Sequence, residues 1–326
     1  MRILVFQTAF LGDAILSIPL LKTLRWHFPD GKIGFVCRKG VGGIFDHNDM
    51  VHQVIEVDKN DSDSLKNAFR STREFKADLI VSPHRSFRTA LWVFRLGAAT
   101  TVGFKDWWTR FSYKKSTPWP ATKHDVLRQL SLLEGLGIDI AKIPEELLSL
   151  KIELPPNEKF SHLKDFVALS PGSQWNTKRW TQNGFVEVAE KLRATGNRIV
   201  LVGAPAEEAL CREVAQRIPG AVNLCGQTSI LELGQVLSQA GLLVCNDSGA
   251  MHVAAAVGTP VLAVFGATVP AQGYSPWRIK SEIVQVDLSC RPCGAHGHDE
   301  CPLGHHDCMK KVTPEMVLQA AGELLS

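Results

Sequence analysis

Short apolar runs that stop at a small or polar residue, each followed by a stretch with helical spacing, recur along this chain and set its fold class. RILVFQ (2–7) precedes DAILSIPLLKTLRWHF (13–28), and KIGFVC (32–37), QVIEVD (53–58) and ADLIVSP (77–83) continue the series. A Pro pair and several charges in IELPPNEKFSHLKDF (152–166) interrupt it. The series then restarts with VALSPG (167–172), RIVLVGAP (198–205), LLVCND (242–247) and PVLAVFG (260–266). Helical stretches NGFVEVAEKLRATG (183–196), EEALCREVAQRI (207–218) and SGAMHVAAAVG (248–258) lie between them. Strands alternating with helices predict parallel α/β sheets. At 326 residues the chain exceeds one ordinary domain. We therefore expect two doubly wound domains facing a central cleft, residues 1–155 and 156–312, with a last helix over 313–326 packing back toward the first.

Composition narrows the function classes. No run offers the roughly 18 uninterrupted apolar residues of a membrane span, and the apolar N-terminus has no cleavage site of the secretory kind. A cytoplasmic, reducing location is expected, which makes the eight cysteines thiols or metal ligands rather than disulfides. A formal charge of +3 does not point to nucleic acid. Charge is uneven, however: residues 65–128 hold thirteen Lys/Arg against four Asp/Glu. Such a face is either merely solvated or a docking surface for an anionic partner, a phosphate-bearing substrate or an acidic membrane.

Four stretches carry chemistry. In VCNDSGAMHVAAAVG (244–258) a strand ends at Asp247, and Ser248-Gly249 open a small-residue helix whose unpaired N–H groups suit a phosphate. His252, one turn on, reaches toward the same end. A plain capped turn explains the same residues. LSPGSQWNTKRW (169–180) repeats the layout, with Ser173 in the turn and Lys178 and Arg179 placed to meet a departing diphosphate. In GAPAEEA (203–209), Glu207 or Glu208 would accept hydrogen bonds from a ribose diol, or simply complement a helix dipole. In QTAFLGDAI (7–15), Gly12 permits a tight turn and Asp13 stands where open α/β sheets place ligands. A carboxylate there serves as general base on a hydroxyl, or as a helix cap. The glycine fingerprints of dinucleotide and P-loop sites and the Gly-x-Ser-x-Gly elbow are all missing.

Taken together, NDSGAMHVAAAVGTPVLAVFG, PGSQWNTKRW and FLGDAILSIPLL resemble glycosyltransferase family 9, the ADP-heptose:lipopolysaccharide heptosyltransferases, over nearly the whole chain. The resemblance implies a GT-B fold of two Rossmann-like domains, the acceptor on the first and ADP-sugar on the second. It implies inverting, metal-independent transfer of L-glycero-D-manno-heptose from ADP-heptose to the lipid A-Kdo inner core of lipopolysaccharide, with no cofactor and no nucleic acid. Asp13 matches the family's general base and Lys178 the lysine on the donor phosphates and sugar. Ser173 matches a phosphate-contacting hydroxyl, Glu207 or Glu208 the ribose carboxylate, and Thr228 the adenine neighbourhood. Asp247, Ser248, Gly249 and His252 match the donor-binding turn. Gly12, Arg85, Arg88, Lys105 and Arg110 would face the acceptor. Lys114, Lys115, Trp107, Trp108 and Trp119 add to a surface suited to peripheral contact with the cytoplasmic face of the inner membrane.

CRPCGAHGHDECPLGHHDCMKK (290–311) looks like a tail of the heptosyltransferase II branch. Its thiols are spaced Cys290-x2-Cys293-x7-Cys301-x6-Cys308, and only the first pair has zinc-knuckle spacing. We expect reduced thiols in a compact loop away from the donor turn, with structural zinc at these four as the alternative. Competing readings of the whole chain are a related GT-B transferase for another sugar, a nucleotide-dependent oxidoreductase, and a zinc-binding interaction module.

Overall fold

A computed structural model describes every residue except Arg110. The chain forms two compact units, Met1–Leu150 and Lys151–Ser326. In the first, β1 (Arg2–Gln7), β2 (Lys32–Arg38), β3 (Gln53–Val57), β4 (Leu79–Ser82), β5 (Thr100–Phe104) and β6 (Lys115–Thr117) form one sheet in the order β3-β2-β1-β4-β5-β6. In the second, β7 (Phe166–Ser170), β8 (Arg198–Leu201), β9 (Val222–Asn223), β10 (Ala240–Asn246), β11 (Val261–Val264) and β12 (Ser281–Val284) take the order β12-β11-β10-β7-β8-β9. All pairings are parallel. Each sheet thus has its first strand beside its fourth, the reversal point outside which doubly wound folds bind ligands.

Strands buried on both faces read as unbroken apolar runs, which is why β1, β4, β7 and β10 stand out in the sequence. The sequence reading passes over β5, β6, β9 and β12. Two begin with polar residues that their neighbours shelter (TTVGF) or that remain exposed (KST), β9 is two residues long, and SEIV is half-buried at the sheet edge.

The second core joins Leu169, Leu201, Val244 and Val264 to Val317, Ala321 and Leu324 of the last helix, Pro314–Leu325. That helix starts at Thr313, whose hydroxyl accepts from Met316 N, with Pro314 in its first turn. The helix therefore buries its apolar side in the second unit's own core. Trp180 is the largest buried side chain near the site: its indole N–H donates to Val312 O at 2.9 Å and its ring lies edge-on to Phe185. Gly184 makes room for it, since a Cβ there would stand 2.4 Å from the indole.

Gly184→Ala should therefore destabilise by about 1–3 kcal/mol through overpacking, although alanine favours helix. Gly322→Ala, with nothing within 4 Å of the added carbon, should instead stabilise by about 0.5–1 kcal/mol. Thermal melts of the two variants check the opposite signs.

Candidate active site

In the second unit three loops meet at the carboxyl ends of β7 and β10. Asn246, fully buried, ties both ends of the loop after β7 to the end of β10: its amide donates to Pro171 O (2.8 Å) and Gly172 O (3.2 Å), and its Oδ1 accepts from Trp180 N (2.9 Å). Asp247 follows with its carboxylate largely buried, and one oxygen, Oδ2, accepts from Lys178 Nζ at 2.7 Å and from Thr268 Oγ1 at 2.6 Å. Ser173 Oγ donates to Asp247 O at 3.1 Å. Arg179 Nε donates to Ser173 O at 2.9 Å, so this arginine braces the Pro-Gly-Ser turn. The structure brings Ser173, Lys178, Arg179 and Asp247 together.

The helix Gly249–Val257 opens beside them. Its cap, Ser248, makes no side-chain capping bond, and the buried hydroxyl has no hydrogen-bond partner among the described residues. First-turn N–H groups without a side-chain cap, at the positive end of a helix dipole, favour an anion. Gly249 begins this helix and His252 is buried in its first turns.

Glu207 and Glu208 separate cleanly. The Glu207 carboxylate lies over Gly172, where a Cβ would stand 2.1 Å away, and accepts from Ala204 N at 2.8 Å. Burial raises its carboxyl above the usual range, with the Ala204 N–H and the Arg179 charge partly offsetting. Glu208 is instead exposed and paired with Arg212 at 2.8 Å, one helical turn on. Thr228 stands half-buried in the loop ahead of the cap Ser229.

The Cys-rich segment is not remote from this site, contrary to expectation. Thr177, next to Lys178, exchanges hydrogen bonds with the His298 main chain, and His296 lies close enough for the charges of Lys178 and Asp247 to act on it. The loop runs back over the turn because Cys293 N and Arg291 bond to carbonyls at the end of β11. Nothing in the cysteine spacing signals that return. Among the described residues no three or more His, Cys, Asp or Glu side chains are placed to hold a metal ion, so the zinc set Cys290, Cys293, Cys301 and Cys308 is not preassembled. Burial, then the Cys293 charge, push the Cys308 thiol up to about 11.

In the first unit Asp13 sits on the short helix Leu11–Ile15 after β1, with Gly12 beside it. Its Oδ2 accepts from Phe10 N at 3.1 Å, so it does cap the helix. Behind it lies a network the sequence reading misses. Gln129 Nε2 donates to Asp13 O (3.2 Å) and to Asp125 Oδ2 (2.7 Å), while Ser17 Oγ lies 3.0 Å from Asp13 O and 2.7 Å from Gln129 Oε1. Burial first, then the charge of Asp13, push the Asp125 carboxyl up to about 7, against Gln129 and Arg128. Asp125 begins a helix, where an acid reads as dipole complementation, and this hides it in the sequence. Lys59 is also close: burial, then Arg88 and Arg38, lower its ammonium to about 8, with Asp13 opposing.

The basic candidates divide. Arg85 makes a two-bond pair with Asp106 (3.0 and 2.8 Å) and stacks 4.6 Å over Trp119. Arg128 lies 4.9 Å from the same ring, so Trp119 is held between two guanidiniums. Arg88 donates to Lys59 O at 3.2 Å, and Lys105, Lys114 and Lys115 are exposed. Trp107 is 81% exposed, whereas Trp108 is half-buried. Arg110 lies outside the described residues.

Comparison with known proteins completes the picture. The family model "Glycosyltransferase family 9 (heptosyltransferase)" matches residues 66–304. Lipooligosaccharide heptosyltransferase 2 of Campylobacter jejuni is 28% identical over 332 residues, covering 100% of this chain and 98% of that protein. Among solved structures, a family 9 glycosyltransferase of Veillonella parvula superposes with a TM-score of 0.83 at 24% identity, covering 99% and 97% of the two chains. The E. coli ADP-heptose heptosyltransferase II does so with a TM-score of 0.82 at 22% identity, covering 100% and 98%. Two parallel doubly wound sheets of the GT-B kind are thus the fold of this chain. It is an enzyme, and it belongs to glycosyltransferase family 9, the heptosyltransferases.

Proposed function

We propose that this enzyme transfers L-glycero-D-manno-heptose from ADP-heptose to the inner core of lipopolysaccharide, with inversion and without a metal. The observation that carries the reading is the convergence in the second unit of one lysine, an uncapped helix N-terminus and the part-buried carboxylate of Glu207 over Gly172. Lys178, Arg179 and the N–H groups after Ser248 meet the diphosphate as its charge grows. Glu207, rather than the Arg212-paired Glu208, takes the ribose hydroxyls. In the first unit Asp13 removes the proton of the acceptor hydroxyl as its oxygen attacks the anomeric carbon. The bond from that carbon to the ADP oxygen breaks on the opposite face, and ADP leaves with the electron pair.

Curated relatives named lipooligosaccharide or lipopolysaccharide heptosyltransferase support this substrate class. No described helix is long and apolar enough to cross a membrane. A lipid-anchored acceptor would then be met peripherally, through exposed Trp107, Lys105, Lys114 and Lys115.

With ADP-heptose and a heptose-deficient lipopolysaccharide, Asp13→Asn should lose at least about a hundredfold in kcat while binding ADP normally. Retained turnover would remove Asp13 as base. Asp125→Asn tests the buried neighbour: its carboxyl, pushed up to about 7, is neutral on the acid limb and ionises near neutral pH, so the wild-type kcat/KM profile should carry an inflection near pH 7 that the variant loses. The same inflection in the variant would mean that Asp125 is not its source. On the donor side, Lys178→Ala and Glu207→Gln should each weaken ADP binding at least about tenfold, roughly 1.4 kcal/mol, and Glu208→Gln should not. Calorimetry with ADP separates them. Flotation with vesicles containing anionic lipid should capture the protein, and Lys105, Lys114 and Lys115 changed together to Glu should abolish capture.

A further inference from the structure

The Cys/His-rich loop bonds the residue before Lys178 and the segment that carries Thr268, a hydrogen-bond donor to Asp247. On one side it grips Thr177: Thr177 Oγ1 lies 2.7 Å from His298 O and 2.8 Å from His298 N, Thr177 N donates to His298 O (3.1 Å), and His306 Nε2 lies 3.0 Å from Thr177 O. The fit is close. A Cβ on Gly297, which has φ +81°, would stand 2.9 Å from Thr177 Oγ1 and 3.4 Å from Lys178 Cγ. On the other side it grips the segment after β11 that carries Thr268, the second donor to Asp247. Arg291 donates to the carbonyls of Phe265 (3.2 Å), Gly266 and Thr268 (2.8 Å), and Cys293 N donates to Ala267 O at 2.7 Å.

We propose that the loop 289–311 is a positioning element of the donor site: Thr177, clamped by His298 and His306, fixes where the Lys178 ammonium stands, while Arg291 fixes Thr268 against Asp247. This rests on the donor reading above and assigns the loop a part in it that needs no metal. A lysine has several rotatable bonds, and its turn is a single 3-10 segment, Asn176–Lys178. Left to itself such a turn would hold the charge loosely. Four hydrogen bonds to the residue before Lys178 remove that freedom, and preorganised charge is what makes an electrostatic site effective.

The test uses the full-length enzyme, with ADP binding by calorimetry, donor KM, kcat and melting temperature measured on each variant. Thr177→Val, which keeps shape but loses the hydroxyl, should raise the ADP Kd and the donor KM about tenfold. Its kcat at saturating donor should fall as well, by about threefold or more, because the charge it misplaces is the one that meets the departing diphosphate. Thr177→Ser should restore both. His306→Ala should act in the same direction, with recovery in His306→Gln, whose amide can donate to the Thr177 carbonyl. Thr177→Val or His306→Ala that melts near wild type and binds ADP at wild-type strength overturns the proposal. So does Thr177→Ser as impaired as Thr177→Val. If Thr177→Val does not fold, the His306 pair decides alone. Lys178→Ala is the separate control: if wild type binds ADP and this variant binds it equally well, the donor reading fails, whatever the loop variants do.

Discussion

A buried amide is the constraint on which the second unit's site depends. Asn246 has no contact with solvent, and its side chain must find partners for both donors and its acceptor or lose the folding energy of burying them. It finds them at both ends of the loop after β7: the carbonyls of Pro171 and Gly172 at its start, and the Trp180 N–H beyond Lys178. With that loop tied to the last residue of β10, Asp247 stands where Lys178 and Ser173 reach it, and Thr268 meets it from the segment after β11. An aspartate in place of Asn246 would offer oxygens to two carbonyls and break the tie. The position therefore accepts an amide and little else.

The first unit uses the same device in a weaker form. Gln129 bridges the Asp13 main chain to the Asp125 carboxylate, so the helix carrying Asp13 is anchored to a helix more than a hundred residues on in sequence. Here the anchored residue is charged. The same bridge that places Asp13 also brings a second carboxyl close enough to feel its charge. The position of Asp13 and the raised proton affinity of Asp125 are set by one arrangement.

Much of this was legible in the sequence, for a physical reason. Ligand sites in doubly wound sheets collect where central strands end, and central strands announce themselves as apolar runs. Asp13, Ser173, Lys178 and Asp247 each follow such a run within a few residues, so their neighbourhood could be read without coordinates. Glu207 and Glu208 could not be told apart, because the distinction lies in which carboxylate Gly172 leaves room for. Thr268, Gln129 and Asp125 were invisible for a related reason: Thr268 and Gln129 each bond a partner at least 21 positions away, and Asp125 is tied to Asp13 only through Gln129, so none has a local pattern of its own. The Cys-rich loop misled in the opposite sense. Its place after the last strand suggested a compact loop of reduced thiols apart from the donor turn, whereas its main chain, through Gly297 and His298, is what touches the site.

The pairing of Lys178 with Asp247 has a bearing on how ligands arrive. A lone ammonium at a site projects a field that draws anions from a Debye length away, about 8 Å at physiological salt. Here the ammonium is 2.7 Å from a carboxylate, so from outside the two form a dipole whose field fades within a few ångströms. Small anions in solution gain little from approaching it. Capture is decided at contact, by whatever can exchange hydrogen bonds with the pair and the adjoining helix end at once, which makes recognition here a matter of shape rather than of attraction at a distance.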